Sequence, residues 1–571
     1  MTFKTIGIFL LAAIAVVGCN KQLSDTLYDT QTLDGNVNTT ADVLKIIQGT
    51  YGNFQSTDLY KKELLKLLTI TADDMQASTT EFQLYSAKTY DATSSSISIV
   101  YSGYYNIINN CNFLLAKLPN IKTTSGTDST LKVREEGTIR FFRAFCYLDL
   151  VRLFGGVPLR TNPTDINSNF YTTRASVDSV YSLILSDLNR ADSILVYKSS
   201  SDGIGLTNKG AAFALNAIAN LTYANYLDRN GGSGLVNYKK ASACADTVIQ
   251  KGGYKLISNY ADLWDIDNES NAYGTEVIFG IRFTRDNVVS GSNSQGSDLP
   301  SRFMPTTMGG VTGAPKTGNV AGIGGAGSGT YRVMPWFYDY FTSGDYAGDY
   351  RSETTFLTSW PKTPGSGTIY VSYPTKPSNK IDTLPSQFPF VKKYIDGKAW
   401  ESSNHENDMF LIRLAEIYLV RAEAQNEING GPTTAALADF NQLRARARAA
   451  NNITTRTTPA DLKITGLLKD DFRKKILDER GLEFIGEGKR WFDLVRMKGI
   501  NGAATMYQYQ YQTFLPTVPS GPPVYNFTTK VWGGGKTDLF SVVPYNSKYL
   551  LFPIPQVERD LNNALTQNPG W

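Results

Sequence analysis

The chain has 571 residues, 56 basic against 52 acidic, and a net charge of +4 without any block of like charge, which argues against a nucleic-acid surface. A Ser-His-Asp triad would have to be built on the single histidine, His405, and neither a Gly-rich nucleotide loop ahead of a helix nor a Cys-x-x-Cys pair occurs, so cofactor chemistry is not expected. No linker divides the chain, and one large domain with an insertion is the economical organisation.

Lys4 precedes an apolar run from Ile6 to Val17, followed by Gly18-Cys19 and the polar Asn20-Lys21-Gln22. About a dozen apolar residues suit the core of a signal peptide, whereas a membrane span takes about 20. Residues 1–18 therefore read as a leader that is removed. Val16-Val17-Gly18-Cys19 has the pattern of a lipobox, so Cys19 is expected to carry the acyl chains that anchor residues 19–571 to a membrane. No Asp follows Cys19 to signal inner-membrane retention, and the outer membrane is the expected destination.

Val43, Ile46, Ile47, Tyr51 and Phe54 recur at helical spacing, which predicts a helix over 42–54. Ile139, Phe142, Cys146, Leu150 and Leu153 form one stripe of the next, and Phe141, Phe145 and Leu148 another. A helix apolar on two faces must be largely buried, and its Arg140, Arg143, Asp149 and Arg152 then need partners. Gly155-Gly156 and Pro158 end it. Cys111, Cys146 and Cys244 lie in helix-like apolar runs and are expected to pack as buried thiols. Ala212, Leu215, Ala219 and Tyr226 form a further face, answered beyond Gly231-Gly232 by Tyr238, Ala241 and Ala245. Leu411, Leu414, Tyr418 and Ala422 repeat the pattern, with Ala436, Phe440 and Leu443 beyond Gly430-Gly431-Pro432. These read as tetratricopeptide-like hairpins, although the Trp-Leu-Gly signature of a regular repeat is missing.

Between the hairpins the composition changes. Residues 286–330 are rich in Gly, Ser, Pro and Thr, and 331–373 carry clustered aromatics, among them Tyr331, Trp336, Tyr338, Trp360 and Tyr370. A loop-rich insertion, about 286–406, is where binding residues are expected, and Tyr and Trp offer the flat face and polar edge that sugars fit. His405 falls in the polar stretch 401–407 and is expected in a solvated loop.

Arg143 to Leu159 (RAFCYLDLVRLFGGVPL), Arg413 to Gly431 (RLAEIYLVRAEAQNEINGG), Phe440 to Ala447 (FNQLRARA), Ile476 to Arg496 (ILDERGLEFIGEGKRWFDLVR) and Leu551 to Trp571 (LFPIPQVERDLNNALTQNPGW) together resemble the SusD/RagB family of nutrient-binding outer-membrane lipoproteins. The resemblance spans essentially the whole mature chain. It implies a mostly α fold built on about four tetratricopeptide-like hairpins, and a partner, a SusC-like TonB-dependent outer-membrane barrel over which the lipoprotein sits as a lid. It also implies that ligand is held by the loop after the first helices, with Asp73, Asp74, Tyr85, Tyr90 and Tyr101, and by the insertion, with Arg302, Tyr331, Trp336 and Trp360. Some relatives carry a tryptophan near Tyr101, so the stacking surface here is smaller.

Three functions follow in order of preference: glycan capture for an importer, peptide capture for the same kind of importer, and a surface glycoside hydrolase. The last would use a carboxylate pair. Glu479, Glu483 and Glu487 recur at steps of four among Arg480, Arg490 and Arg496, which favours ion-paired supports instead. No cofactor is expected; the acids Asp262, Asp265 and Asp267 are a candidate for structural calcium only with a complete ligand loop. Trp336, in the insertion, is expected to be dispensable for folding, and Trp491, in a scaffold motif, indispensable.

Overall fold

The computed structural model describes residues 37–571 apart from 79, 165–167, 200–204, 285–295, 306–327, 362–368, 374–380, 384–387, 397–404, 451–453, 519–522, 527–530 and 536–542. The leader and Cys19 lie outside the described residues.

Helix α1 (Thr40–Phe54) starts where the Thr39 hydroxyl accepts the Asp42 amide and the Asp42 carboxylate accepts the Thr39 amide at 3.1 Å. This reciprocal box satisfies two donors that a helix start otherwise leaves orphaned. The long helices that follow are α2 (Ser95–Lys117), α3 (Gly126–Phe154), α4 (Val177–Ile194), α5 (Lys209–Arg229) and α6 (Leu235–Lys251). Each packs on the next, and α6 packs across the insertion on α7 (Leu414–Asn429), which in turn meets α8 (Thr434–Arg448) and α9 (Lys469–Phe484). Short helices fill in the frame, among them α10 (Arg490–Arg496) and α11 (Gln556–Leu561). The chain is mostly helical, as the hairpin pattern predicts.

Alanines make the close approach between α5 and α6 possible: Ala211, Ala212, Ala214, Ala217, Ala219 and Ala224 on one side and Ala241 and Ala245 on the other are fully buried. Both faces of α3 are buried from Ile139 to Phe154, and its charges are answered. Arg143 holds the Asp187 carboxylate at 2.7 and 2.9 Å, and Asp149 pairs with Arg152 and accepts the Tyr60 hydroxyl at 3.0 Å. Helix α3 ends at Gly155, whose φ of +73° costs glycine little and would strain any other residue. Cys111 and Cys146 are buried free thiols, while Cys244 is half-buried.

The insertion leaves and rejoins the scaffold through an antiparallel neck, β2 (Val277–Ile281) against β4 (Met409–Arg413), while β1 (Met75–Ala77) pairs with β3 (Tyr331–Val333) and joins the first loop to the insertion. His405 is not in a solvated loop. It is fully buried beside the neck, bridges Ser297 through its backbone and sets Nδ1 3.2 Å from an Asp396 carboxylate oxygen. Its polar neighbours in sequence misled the expectation, because the partners that bury it lie elsewhere in the chain.

Candidate functional site

The three glutamates of the longest motif are structural. Glu483 meets Arg413 at 3.0 Å, Arg351 at 3.1 Å and Arg446; Glu487 takes Arg413 and Lys393, each at 2.9 Å; Glu479 takes Arg351 at 2.7 Å and Arg444 at 3.3 Å. All three carboxylates are closed off from solvent. Burial alone would raise the Glu483 pKa, but its three guanidinium partners win and hold it well below the usual carboxylate range. Arg351 and Lys393 belong to the insertion, so this network fastens the insertion to α9.

The residues expected to touch ligand are mostly inside the fold. Asp73 forms a bidentate pair with Arg490 at 2.7 and 2.9 Å, and its backbone carbonyl accepts the Trp336 indole N–H at 2.9 Å. Burial and the neighbouring Asp73 push the Asp74 carboxyl up to about 7. Tyr85 stacks on Tyr90 at 5.6 Å, which stacks on Trp571 at 5.2 Å. Arg302 donates to Asp298 at 2.7 Å, Tyr331 packs edge-on to Phe303, and Trp360 packs edge-on to Phe390. Tyr331, Trp336 and Trp360 are each at most 4% exposed. The expectation that Trp336 is dispensable for folding is thereby corrected: the ring is enclosed by Phe337 and Phe514, because the insertion needs an aromatic core of its own. Asp262, Asp265 and Asp267 serve turns, with the Asp265 carboxylate accepting the Asp267 amide, and no group of three or more metal-ligating side chains occurs among the described residues.

Tyr101 does border an opening, a cleft of about 370 Å³ between α2, the segment after α3 and α11. That volume is within the range of small-molecule sites, about 300–1,000 Å³. Tyr101, Tyr105 and Asn109 follow one another at steps of four, so α2 presents them on one face. The Tyr105 hydroxyl donates to the Pro158 carbonyl at 2.8 Å, which fixes the opposite wall. Arg160 is held through its backbone, its amide donating to the Tyr147 hydroxyl at 2.7 Å and its carbonyl accepting from Asn112 at 2.9 Å. Its guanidinium donates to the carbonyls of Asn169 and Phe170, and the Phe170 ring, 49% exposed, forms an open apolar wall.

Glu558 of α11 completes the cleft. Its carboxylate has no hydrogen-bond or ion-pair partner among the described residues, and burial raises its pKa. Two charged groups with spare hydrogen-bonding capacity, the exposed amide of Asn106 and aromatic walls suit a polyhydroxylated ring: apolar C–H faces on the rings, hydroxyls on the charges. Sequence reasoning reached Tyr101 but missed Tyr105, Arg160, Phe170 and Glu558. The four-residue step from Tyr101 was a usable signal for Tyr105; nothing local pointed to Glu558. The insertion has an opening of its own, about 420 Å³, beside Glu353, Thr358, Lys392 and Tyr338, one of the clustered aromatics; Arg302, Tyr331, Trp336 and Trp360 do not line it.

Comparison with known proteins agrees with this architecture. Residues 275–571 match the SusD family, and residues 26–221 match a family described as starch-binding and associating with the outer membrane. The starch-binding protein SusD of Bacteroides thetaiotaomicron is 26% identical over 476 residues, 78% of this chain and 75% of that one. The crystal structure of a SusD homologue from the same species superposes with a TM-score of 0.75 at 22% identity, covering 94% of this chain and 98% of the other. A laminarin-binding SusD-like protein superposes with a TM-score of 0.65 at 23% identity over 94% of this chain and all of the other. The match over 275–571 takes in more than half of the sequence, and the chain belongs to the SusD family.

Proposed function

We propose that this protein is a surface lipoprotein, anchored to the outer membrane through Cys19, that captures glycans without cleaving them and passes them to a SusC-like TonB-dependent transporter. The observation that carries the reading is the Tyr101 cleft, where Arg160 and Glu558 keep hydrogen-bonding capacity between aromatic walls in a chain whose relatives include a starch-binding and a laminarin-binding protein. The lipobox supports the anchor, the family description supports outer-membrane association, and among the described residues no helix is long and apolar enough to cross a membrane. The ion-paired state of Glu479, Glu483 and Glu487 supports a binding rather than a hydrolytic role for the motif that holds them.

A glycan array run beside a peptide library tests the ligand class. Binding of neutral oligosaccharides that falls tenfold or more in Glu558→Gln and Phe170→Ala supports the reading; binding confined to peptides, or turnover of an oligosaccharide, overturns it. A pull-down from outer membranes tests the partner, since co-purification of a large barrel protein is expected and recovery of the lipoprotein alone under every carbon source contradicts it.

A further inference from the structure

A second cleft, of about 310 Å³, opens in the helical scaffold between the ends of α3, α5 and α10, and it shares no lining residue with the first. Its walls are apolar, with Val177, Val495, Leu550 and Leu551. Three arginines border it, and two of them are compensated: Arg152 by Asp149, and Arg496 by Glu423 at 2.7 and 2.9 Å and by Asp493. Arg229 is different. It has no carboxylate partner among the described residues and donates only to backbone carbonyls, Asn225 at 3.3 Å and Val495. Those carbonyls lie at the C-terminal ends of α5 and α10, where partial negative charge offsets part of the cation. Among the described residues its Nη2 amine has no hydrogen-bond partner, and neither does the buried Nε–H of Arg152 in the same cleft.

Arg229 is only partly buried, so water reaches its guanidinium; with no counter-charge between apolar walls, that cation favours an anion in the cleft. The planar fork of an arginine matches a carboxylate or a sulfate, two donors to two oxygens. Beside it stand the rings of Tyr181 and Tyr226, members of a near-parallel ladder in which Tyr181 lies 4.4 Å from Tyr223 and Tyr223 lies 6.3 Å from Tyr226. Thr222 and Thr505 also line it, with their hydroxyls spent on the fold: Thr222 donates to the Ile218 carbonyl at 2.8 Å and Thr505 accepts the Gln508 amide at 3.1 Å. We infer that this cleft is a second carbohydrate site, one that takes a sugar carrying an oxyanion, either a uronate carboxylate or a sulfate ester, with Arg229 as the anchor. The inference rests on the glycan reading above for its ligand class and on Arg229 for the charge.

The test titrates the whole soluble chain with four probes: a trigalacturonate, its carboxyl-reduced twin, a sulfated galactan trisaccharide and its desulfated twin. At least one acidic probe is expected to bind tenfold or more tighter than its neutral twin, with a preference that fades as salt is raised. Preference for the uronate alone assigns the carboxylate, and preference for the sulfated sugar alone assigns the ester. Arg229→Gln is expected to bring the acidic probe within about twofold of its twin. Because Arg229 also ties two helix ends together, Asn230→Asp serves as a second variant: it sets a carboxylate at an exposed position of the same cleft, competes for the guanidinium and abolishes the preference.

No preference for either acidic probe in the unaltered chain overturns the inference, as does a preference that survives both variants. Neutral binding without acidic preference defeats this site and leaves the Tyr101 cleft standing. Acidic preference without neutral binding does the reverse.

Discussion

Glu483 and Glu558 are the same side chain in opposite circumstances. Glu483 is closed off from solvent and surrounded by three arginines, whereas Glu558, half-buried at a cleft, has no partner among the described residues. Arg496 and Arg229 repeat the contrast with the opposite sign: the first is saturated by Glu423 and Asp493, and the second, among the described residues, hydrogen-bonds only to backbone carbonyls. At Glu483 and Arg496 the buried charge is consumed by the fold. Glu558 and Arg229, one at each cleft, are left with capacity for a ligand.

The largest expected effect comes from removing a carboxylate that several arginines share. Glu483→Ala leaves Arg351, Arg413 and Arg446 facing one another without their shared carboxylate. Removing one partner of a buried pair typically costs about 3–5 kcal/mol. Urea denaturation is expected to show a loss of that order, together with loosening of the insertion that Arg351 fastens; a change of roughly 1 kcal/mol or less would mean that the network is not the clasp described here. The two tryptophans come next. Trp491 lies against Phe552 at 5.0 Å and Trp336 is enclosed by Phe337 and Phe514, so truncation of either to alanine is expected to cost about 3–5 kcal/mol. Retained stability in Trp336→Ala alone would return that ring to the ligand surface.

The different fates of these residues show what the sequence could convey. Helix positions, the buried two-faced α3, the need of Arg143 and Asp149 for partners, and the ion-paired glutamates were all legible because each rests on spacing within one segment. The resemblance carried the hairpin scaffold. The site was far less legible. Asp73 reads as a loop acid available to ligand until Arg490, distant in the chain, is seen to neutralise it, and His405 reads as solvated until Asp396 and Ser297 enclose it. Composition marked the insertion as aromatic but gave no sign of whether the rings point outward or pack on one another. Glu558 and Arg229 were invisible for the complementary reason: what distinguishes them is the absence of a partner, which only the folded chain reveals.

Asp74 tests whether a buried carboxyl without a cation of its own weakens the fold. In the unfolded chain it titrates near its ordinary 3.8, while in the fold burial and Asp73 raise it to about 7. Between those values the folded form retains a proton that the unfolded form has lost. The stability it contributes is therefore complete below about pH 4 and is lost as pH rises through 7. Asp74→Asn removes that dependence, so its advantage over the unaltered chain should grow by roughly 2–4 kcal/mol between pH 4 and pH 8 in paired urea titrations. A difference that does not vary with pH would show that Asp74 is ionised in the fold.

Glu558→Gln is expected to have the smallest effect on stability and, for that reason, separates a ligand contact from a structural one. The substitution keeps the shape of the side chain and removes a charge that no cation of the fold uses, so the unfolding midpoint should move by no more than about 0.5 kcal/mol in equivalent stability. Binding is a separate matter. A hydrogen bond from a sugar hydroxyl to a charged acceptor contributes about 1.5–3 kcal/mol, so affinity for the captured oligosaccharide should fall roughly 10- to 100-fold. Stability and affinity that fall together would place Glu558 with Glu483 as part of the frame. Affinity lost with stability intact would mean that the carboxylate is left unpaired in the free protein because its partner is the ligand.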